Sequence, residues 1–195
     1  SGSTFTLQTP EQSFEVTVNV PGRQGVYNAL AAAAVADALG ISARAICDGL
    51  GAVGPAPGRG CSKAISSNVS LIDDTYNANP LAVKAAIDVL ASEPGRRRLV
   101  LGAMLELGLD AEKLHAEIGS YAKQAGIDEL WVVGNEAAPA AAAFGDAARF
   151  FKSPSEVLKF SPKLTGASIT VVKASRGAQL EVLVNQWLAE GESAC

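Results

Sequence analysis

The stretch Leu71-Ile72-Asp73-Asp74-Thr75-Tyr76-Asn77-Ala78-Asn79-Pro80 decides the fold. Its apolar half ends a predicted strand at residues 69–73, and its polar half leads into a predicted helix. Asn79 is a suitable N-cap for that helix and Pro80 a suitable first residue. A strand that turns directly into a helix is the first half of a parallel β-α-β unit. From the residues alone, a ligand-binding turn and an ordinary Asp/Asn-rich turn are equally good interpretations of the polar half.

Short β-branched or leucine-rich runs recur through the rest of the chain, with helical patterns between them. The predicted strands are residues 69–73, 98–102, 130–134 and 169–173. The predicted helices are residues 80–91, 110–125, 136–144, 155–160 and 179–190. This alternation predicts an α/β fold with a mostly parallel sheet and right-handed crossovers. Such sheets bind ligands beyond the carboxyl ends of their strands, so the turns after the strands are where function is expected.

The N-terminal part of the chain has a different pattern. Residues 4–8 and 14–20 alternate apolar and polar side chains around Thr9-Pro10-Glu11-Gln12, which predicts an antiparallel hairpin ended by Pro21-Gly22. Two helices are predicted after it, at residues 26–39 and 42–50. The loop at 51–58 contains two prolines and three glycines. It therefore predicts a domain boundary, which divides residues 1–57 from residues 58–195.

The composition excludes several classes of protein. Hydrophobic residues make up 48% and charged residues 18% of the chain, which is typical of a globular protein rather than a disordered one. Sixteen basic and twenty acidic side chains exclude a broadly basic nucleic-acid surface, and no apolar run is long enough to predict membrane insertion. Three cysteines without a CxxC motif indicate a reducing compartment rather than a secreted, disulfide-stapled fold. A single histidine cannot form a histidine-based metal site alone.

Other polar groups carry weaker predictions. The turn Ala174-Ser175-Arg176-Gly177 precedes a helix and would favour an anion, although a capped turn with a solvated arginine is the preferred interpretation from the residues alone. Arg59 lies on the boundary loop and faces either a partner domain or water. We expect His115 to be exposed on the polar side of its helix, and Arg96-Arg97-Arg98 to form a solvated strand entrance. The sequence has no GxxxxGK(S/T), so it lacks the P-loop that holds a triphosphate and Mg²⁺.

The opening stretch, followed by Val100-Leu101-Gly102-Ala103-Met104-Leu105-Glu106-Leu107-Gly108, resembles the Mur ligases. The form Asp-Asp-(Ser/Thr)-Tyr-Asn-Ala-Asn is similar to that of the Mur ligases that add D-alanyl-D-alanine. Other Mur ligases and folylpolyglutamate synthase carry histidine- or lysine-containing versions. The resemblance continues in order through Pro21-Gly22-Arg23, residues 28–33, Pro57-Gly58-Arg59 and Lys173-Ala174-Ser175-Arg176, and so covers essentially the whole chain.

The resemblance implies a three-domain enzyme. Residues 1–57 would be the end of its central ATPase domain, and residues 58–195 its Rossmann-like C-terminal domain, with helices on both faces of the sheet. The start at Ser-Gly-Ser, without a methionine, fits a piece of a longer protein whose missing N-terminal and central domains are the natural neighbours. The implied reaction belongs to peptidoglycan synthesis. ATP and Mg²⁺ convert the carboxylate of UDP-N-acetylmuramoyl-tripeptide into an acyl phosphate, which the amine of D-Ala-D-Ala attacks.

The resemblance also implies roles for single residues. Asn28 resembles the asparagine that contacts adenine, Arg59 the arginine that reaches the nucleotide, and Asp74 the aspartate near the ribose. The residues expected to line the acceptor side are Tyr76, Asn77, Ser175 and Arg176. No catalytic residue and no metal ligand is assigned within the fragment. Because the P-loop is missing, we expect the fragment alone to be inactive and to bind neither ATP nor Mg²⁺ tightly.

The chain departs from the Mur ligase pattern at five positions. The family usually has histidine and asparagine where this chain has Gln24 and Gly25. It usually has an apolar residue in place of Gly60, aspartate in place of Ala103 and glycine in place of Ala174. Ala103 follows a predicted strand, so we expect it to face the ligand crevice. The alternative function is therefore a non-catalytic α/β binding module that keeps the fold without ligase activity. The missing P-loop and Ala103 favour this alternative for the fragment, whereas Asn28, Arg59 and Asp74 favour the enzyme for the parent protein.

Overall fold

The chain divides into two compact units, Ser1–Ala56 and Pro57–Cys195. The computed structural model describes residues 2–9, 13–20, 22–54 and 56–192. The predicted hairpin turn at residues 10–12 and the predicted strand end at Pro21 lie outside the described residues. The assignment of the first unit to a central ATPase domain stays a prediction.

The first unit contains a hairpin and two helices. Strands β1 (Ser3–Gln8) and β2 (Ser13–Val18) pair antiparallel, as the alternating sequence predicted. Helices α1 (Gly22–Ala38) and α2 (Ala43–Ala52) follow. The Ser42 hydroxyl caps α2 by accepting a hydrogen bond from the amide of Ala45 at 3.4 Å. The small core consists of Leu7, Val16, Val18, Ala29, Ala33 and Ile46.

The second unit is built on one six-stranded sheet. Its strands are β3 (Cys61–Ser66), β4 (Val69–Asp74), β5 (Arg97–Gly102), β6 (Glu129–Val133), β7 (Ala148–Phe151) and β8 (Ile169–Lys173). They lie in the order β3-β4-β8-β5-β6-β7, and every neighbouring pair is parallel except β3 and β4. The predicted α/β class with a mostly parallel sheet is therefore confirmed. Strands β3 and β7, which form the two edges of the sheet, were not predicted from the sequence.

Helices cover both faces of this sheet. Helices α3 (Pro80–Ser92), α4 (Ala111–Gln124) and α5 (Ala138–Phe144) pack on one face, and α6 (Pro154–Phe160) and α7 (Glu181–Glu192) pack on the other. Leu99 and Leu101 of β5 point into the first core, whereas Val100 between them points into the second. Both faces of the central strands are thus apolar, as expected of a parallel sheet that is covered twice.

The start of α3 follows the sequence prediction. The Asn79 side-chain oxygen accepts a hydrogen bond from the amide of Ala82 at 2.8 Å, and Pro80 occupies the first helical position. Helix α7 begins two residues later than predicted, because a short 3₁₀ turn at Arg176–Ala178 and a left-handed Gln179 precede it. Within the described part of the chain, no helix is long and apolar enough to cross a membrane.

The prediction of a solvated strand entrance at residues 96–98 is wrong for Arg98. The Arg98 side chain is 3% exposed, whereas that of Arg96 is 61% exposed. Arg98 lies opposite Glu129 in the parallel ladder, and its guanidinium binds that carboxylate at 3.0 Å and stacks over Trp131 at 4.0 Å. Burial lowers the pKa of the Arg98 guanidinium, and the charge of Glu129 opposes that shift. Strand alternation directs this side chain into the second core.

Candidate functional site

Three polar turns meet at the carboxyl edge of the sheet, because β4, β8 and β5 are adjacent and parallel. The turn after β4 runs from residue 75 to 79, the turn after β5 from 103 to 107, and the turn after β8 from 174 to 176. Together with the ends of the strands and the segment 58–60, they form what we call the strand-end cluster. Its polar members are Arg59, Asp74, Tyr76, Asn77, Lys173, Ser175 and Arg176.

Tyr76 lies between two arginines of this cluster. The guanidinium carbon of Arg59 is 4.0 Å from the centre of the tyrosine ring, and that of Arg176 is 5.6 Å from it. The Tyr76 amide donates to the carbonyl of Gly58 at 2.9 Å, which holds the segment 58–60 against the turn. Gly58 has a φ of +72°, and a Cβ there would lie 3.1 Å from the Tyr76 nitrogen, so this approach requires glycine. Two guanidinium groups on an exposed ring can bind a planar or anionic group.

Lys173 and Asp74 form an ion pair beneath this surface. The Nζ atom of Lys173 lies 2.6 Å from Oδ2 of Asp74 and also donates to the carbonyl of Asn77 at 3.0 Å. The lysine side chain is 3% exposed and that of Asp74 is 23% exposed. Lys173 was not among the site residues predicted from the sequence. The available signal was a charged residue at the end of a mostly apolar strand, Ile169–Lys173.

Ser175 joins the three turns. Its hydroxyl donates to the carbonyl of Ala78 at 3.2 Å and accepts from the amide of Leu105 at 2.9 Å. Its own amide donates to the carbonyl of Ala103 at 3.0 Å. The side chain is buried, so its observed contacts are with the protein backbone. The expectation that Ser175 lines the acceptor side stays a prediction.

The remaining predicted site residues divide between the two units. Asn77 and Arg176 are exposed members of the strand-end cluster, and Asn77 accepts a hydrogen bond from the amide of Ala78 at 2.8 Å. Asn28 lies on an exposed face of α1 in the first unit. The structure therefore brings together six of the seven predicted residues, which are Arg59, Asp74, Tyr76, Asn77, Ser175 and Arg176.

Two expectations about exposure at this edge are wrong. His115, expected to be exposed, is 0% exposed, because α4 buries its row of residues 115, 118 and 122 against the sheet. Ala103 is 4% exposed rather than open to a crevice. A carboxylate introduced at position 103 would be buried, so Ala103→Asp is expected to lower the melting temperature. Spacing with Ile118 and Ala122 was the signal that could have placed His115 in the core.

A family model described as "Mur ligase, glutamate ligase domain" matches residues 60–177. This chain belongs to the Mur ligase family. The matched segment contains five residues of the strand-end cluster that the sequence had predicted, since it runs from the residue after Arg59 to the residue after Arg176. The expected Mur ligase membership and C-terminal domain fold are thus confirmed.

Two Mur ligases with similar sequences carry the same name. The UDP-N-acetylmuramoyl-tripeptide–D-alanyl-D-alanine ligase of Escherichia coli K12 is 38% identical over 185 residues, which are 94% of this chain and 41% of the relative. The ligase of that name from Bacillus subtilis 168 is 31% identical, over 94% of this chain and 41% of the relative. The chain therefore spans less than half the length of these Mur ligases.

Solved structures of Mur ligases show the same fold. MurF from Acinetobacter baumannii matches with a TM-score of 0.81 and 30% sequence identity, over 96% of this chain and 42% of that protein. The MurF ligase of Thermotoga maritima, solved in complex with ADP, matches with a TM-score of 0.79 and 24% identity, over 100% of this chain and 45% of that protein.

The structure accounts for several departures from the Mur ligase pattern. Gly60 has a φ of +74°, a backbone conformation that favours glycine. A Cβ on Gly25 would lie 2.8 Å from the carbonyl oxygen of Val20. Ala174, where the family usually has glycine, is fully buried in the core on the α7 side. These three departures are therefore compatible with a well-packed fold.

Proposed function

We propose that this chain is the C-terminal portion of the ligase that adds D-Ala-D-Ala to UDP-N-acetylmuramoyl-tripeptide in peptidoglycan synthesis, in the cytoplasm. Residues 1–57 would be the end of the central ATPase domain and residues 58–195 the Mur ligase C-terminal domain. The observation that carries the proposal is the strand-end cluster, in which Tyr76 lies between Arg59 and Arg176. It lies where the carboxyl ends of parallel strands bind ligands, and the E. coli and B. subtilis relatives are named for one activity.

The positive charge of the cluster suits the proposed ligands. ATP, when bound, supplies the phosphoryl group that activates the tripeptide carboxylate. Lys173 already pairs with Asp74, so the guanidinium groups of Arg59 and Arg176 are the cations that face outward. Guanidinium groups form strong, charge-assisted hydrogen bonds to phosphates and carboxylates. We assign Arg59 and Asp74, with Asn28 of the first unit, to the nucleotide.

The acceptor dipeptide has a carboxylate at one end and a nucleophilic amine at the other. We assign Arg176 to its carboxylate, and Tyr76 and Asn77 to the surface that orients it. Ser175 acts in this proposal through the backbone, because it fixes the turn that carries Leu105. Holding the amine close to the acyl phosphate is the main contribution that such a domain can make to the rate.

We assign no residue of this part of the protein to Mg²⁺. Among the residues that the structure describes, no group of three or more histidine, cysteine, aspartate or glutamate side chains could hold a metal ion. We propose that the P-loop, the Mg²⁺ ligands and the site for UDP-N-acetylmuramoyl-tripeptide belong to segments of the relatives that lie outside the matched region.

A non-catalytic α/β binding module is the second candidate. The sequence contains no GxxxxGK(S/T), and Ala103 replaces the aspartate that Mur ligases usually carry. In this alternative the strand-end cluster still binds an anionic ligand, but no bond is formed. The two candidates differ in turnover and not in fold.

Turnover in a chimera separates these candidates. The chimera is the E. coli ligase in which this chain replaces the matching segment, and phosphate release is measured with Mg-ATP and UDP-N-acetylmuramoyl-tripeptide. We expect release that depends on D-Ala-D-Ala, and none from the isolated chain. Arg176→Ala should raise the KM for D-Ala-D-Ala about tenfold or more, as expected for a lost charged hydrogen bond, and Arg96→Ala is the matched control. A folded, ATP-binding chimera without phosphate release would favour the binding module.

A further inference from the structure

Two hydrogen bonds to consecutive amides hold the turn after β5. The amide of Met104 donates to Nε2 of His115 at 2.9 Å, and the amide of Leu105 donates to the Ser175 hydroxyl at 2.9 Å. The first bond comes from α4 and the second from the turn after β8. The turn is therefore fixed between a helix and a neighbouring strand end.

The hydrogen bonds define the protonation state of His115. A backbone amide can only donate, so Nε2 must carry a lone pair. The other ring nitrogen, Nδ1, lies 2.7 Å from the carbonyl oxygen of Ala111, which can only accept. Nδ1 must therefore carry the proton, and the ring is the neutral Nδ1-protonated tautomer. Both ring nitrogens are used, and the side chain is fully buried.

The residue after these two anchors adopts an unfavourable conformation. Glu106 has a φ of +63°, in the left-handed region that non-glycine residues rarely adopt. Such a conformation persists only where the surrounding structure holds it. The bonds to Met104 and Leu105 fix the chain immediately before Glu106. Without them, the turn would be expected to relax away from the strand-end cluster.

We propose that His115 is a positioning residue, whose neutral ring holds the Met104 amide and thereby keeps residues 103–107 in place beside Ser175. Ser175 in turn binds the carbonyl of Ala78 in the turn that carries Tyr76 and Asn77. A buried histidine on α4 thus acts on the strand-end cluster without touching a ligand. Its consequence for catalysis rests on the proposed function, whereas its effect on the turn does not.

The tautomer gives a test that needs no variant. His115 is the one histidine of the sequence, so the imidazole ¹⁵N signals of the labelled 195-residue chain belong to it without further assignment. At about pH 7.5, we expect the protonated ring nitrogen to be Nδ1. A ring that is protonated at Nε2 would overturn the proposal.

Amide hydrogen exchange in three variants tests the role of the bond. His115→Leu removes the acceptor, and we expect exchange at Met104 to become about tenfold faster relative to Val132 of β6, the size of effect of one lost hydrogen bond. His115→Gln offers a side-chain oxygen to the same amide and should restore slow exchange. Ile118→Ala destabilises the same helix and should leave the ratio unchanged. An unchanged ratio in His115→Leu, or an equal rise in Ile118→Ala, would overturn the proposal.

The chimera links this positioning role to the reaction. His115→Leu should lower kcat/KM for D-Ala-D-Ala about tenfold, and His115→Gln should recover most of that loss. An active chimera in which His115→Leu leaves kcat/KM unchanged would overturn the role of His115 in positioning the cluster. An inactive parent chimera would instead contradict the proposed ligase function, and the tautomer and exchange measurements would still decide the structural claim.

Discussion

Lys173 and Asp74, which are 99 residues apart in the sequence, meet as a partly buried ion pair at the ends of two adjacent parallel strands. Their 2.6 Å contact connects the last residue of β4 to the last residue of β8. Lys173 also binds the carbonyl of Asn77. The lysine therefore fixes the turn that carries Tyr76, although it is itself almost inaccessible to a ligand.

Asp74→Asn is expected to destabilise the second unit by about 2–4 kcal/mol, because it leaves the ammonium of Lys173 buried without a charged partner. The value lies at the lower end for buried pairs, since Asp74 retains some solvent access. Adding Lys173→Met should recover part of the loss. The measurement is the free energy of unfolding in denaturant at pH 7. The control is Asp110→Asn at an exposed position, which should change the free energy of unfolding by less than about 0.5 kcal/mol. Equal effects of Asp74→Asn and Asp110→Asn would contradict the prediction.

Arg98 and Arg96 lie near the start of the same strand, so their variants allow a buried and an exposed arginine to be compared. Arg98→Ala removes a buried guanidinium that binds Glu129, the carbonyl of Thr165 and the face of Trp131. We expect a loss of about 2–4 kcal/mol of unfolding free energy. Arg96→Ala removes a mostly exposed partner of the same Glu129 and should cost less than about 1 kcal/mol. Thermal denaturation of both variants is the measurement, and similar Tm values would show that the burial of Arg98 has no energetic consequence.

The carboxyl group of Asp128 makes the stability of the fold depend on pH under acidic conditions. Hydrogen bonds from the side chain and the amide of Arg97 hold the pKa of the Asp128 carboxyl below its ordinary value of 3.8. A lowered folded pKa stabilises the fold above the unfolded pKa, and this contribution is lost as the pH falls through the folded value. Asp128→Asn should therefore be less stable than the parent at pH 7, and the difference should shrink towards about pH 2. A difference that stays constant from neutral pH into acid would contradict this assignment.

The elements that the sequence predicted correctly have strong local signals. Asn79 and Pro80 specify the start of α3 by their own backbone chemistry, and the structure places both as predicted. The central strands are apolar on both faces, which is an equally strong signal in the sequence. The edge strands β3 and β7 lack such signals: Cys61–Ser66 mixes small and polar residues, and Ala148–Phe151 has only four residues. Their pairing depends on the neighbouring strand rather than on their own sequence.

The contacts and burial of the side chains at the candidate site could likewise be predicted only in part from the sequence. The turn residues could be predicted, because the carboxyl ends of parallel strands converge. The burial of His115 and Ala103 could not, because it depends on how α4 packs against the turn after β5. Lys173 was missed for a related reason, since its partner Asp74 lies on a strand that is distant in sequence. Long-range pairing of polar groups leaves little trace in a local pattern.

Limited proteolysis tests the proposed division between residues 1–57 and 58–195. We expect the first cuts in the glycine- and proline-rich segment 51–58, and a resistant C-terminal fragment, because helices cover both faces of its sheet. Mass spectrometry of the fragments gives the cut sites. A resistant N-terminal fragment, or equal protection of the whole chain, would contradict the division.

Formation of the pentapeptide product by the chimera is the most direct test of the ligase assignment. The E. coli enzyme carrying this chain is incubated with UDP-N-acetylmuramoyl-tripeptide, D-Ala-D-Ala and Mg-ATP, and the products are measured by mass spectrometry. We expect the tripeptide substrate to gain one dipeptide with loss of water, and one phosphate to be released for each product molecule. A folded chimera that binds ATP but forms no such product, or that forms it equally well when this chain is deleted, would contradict the assignment.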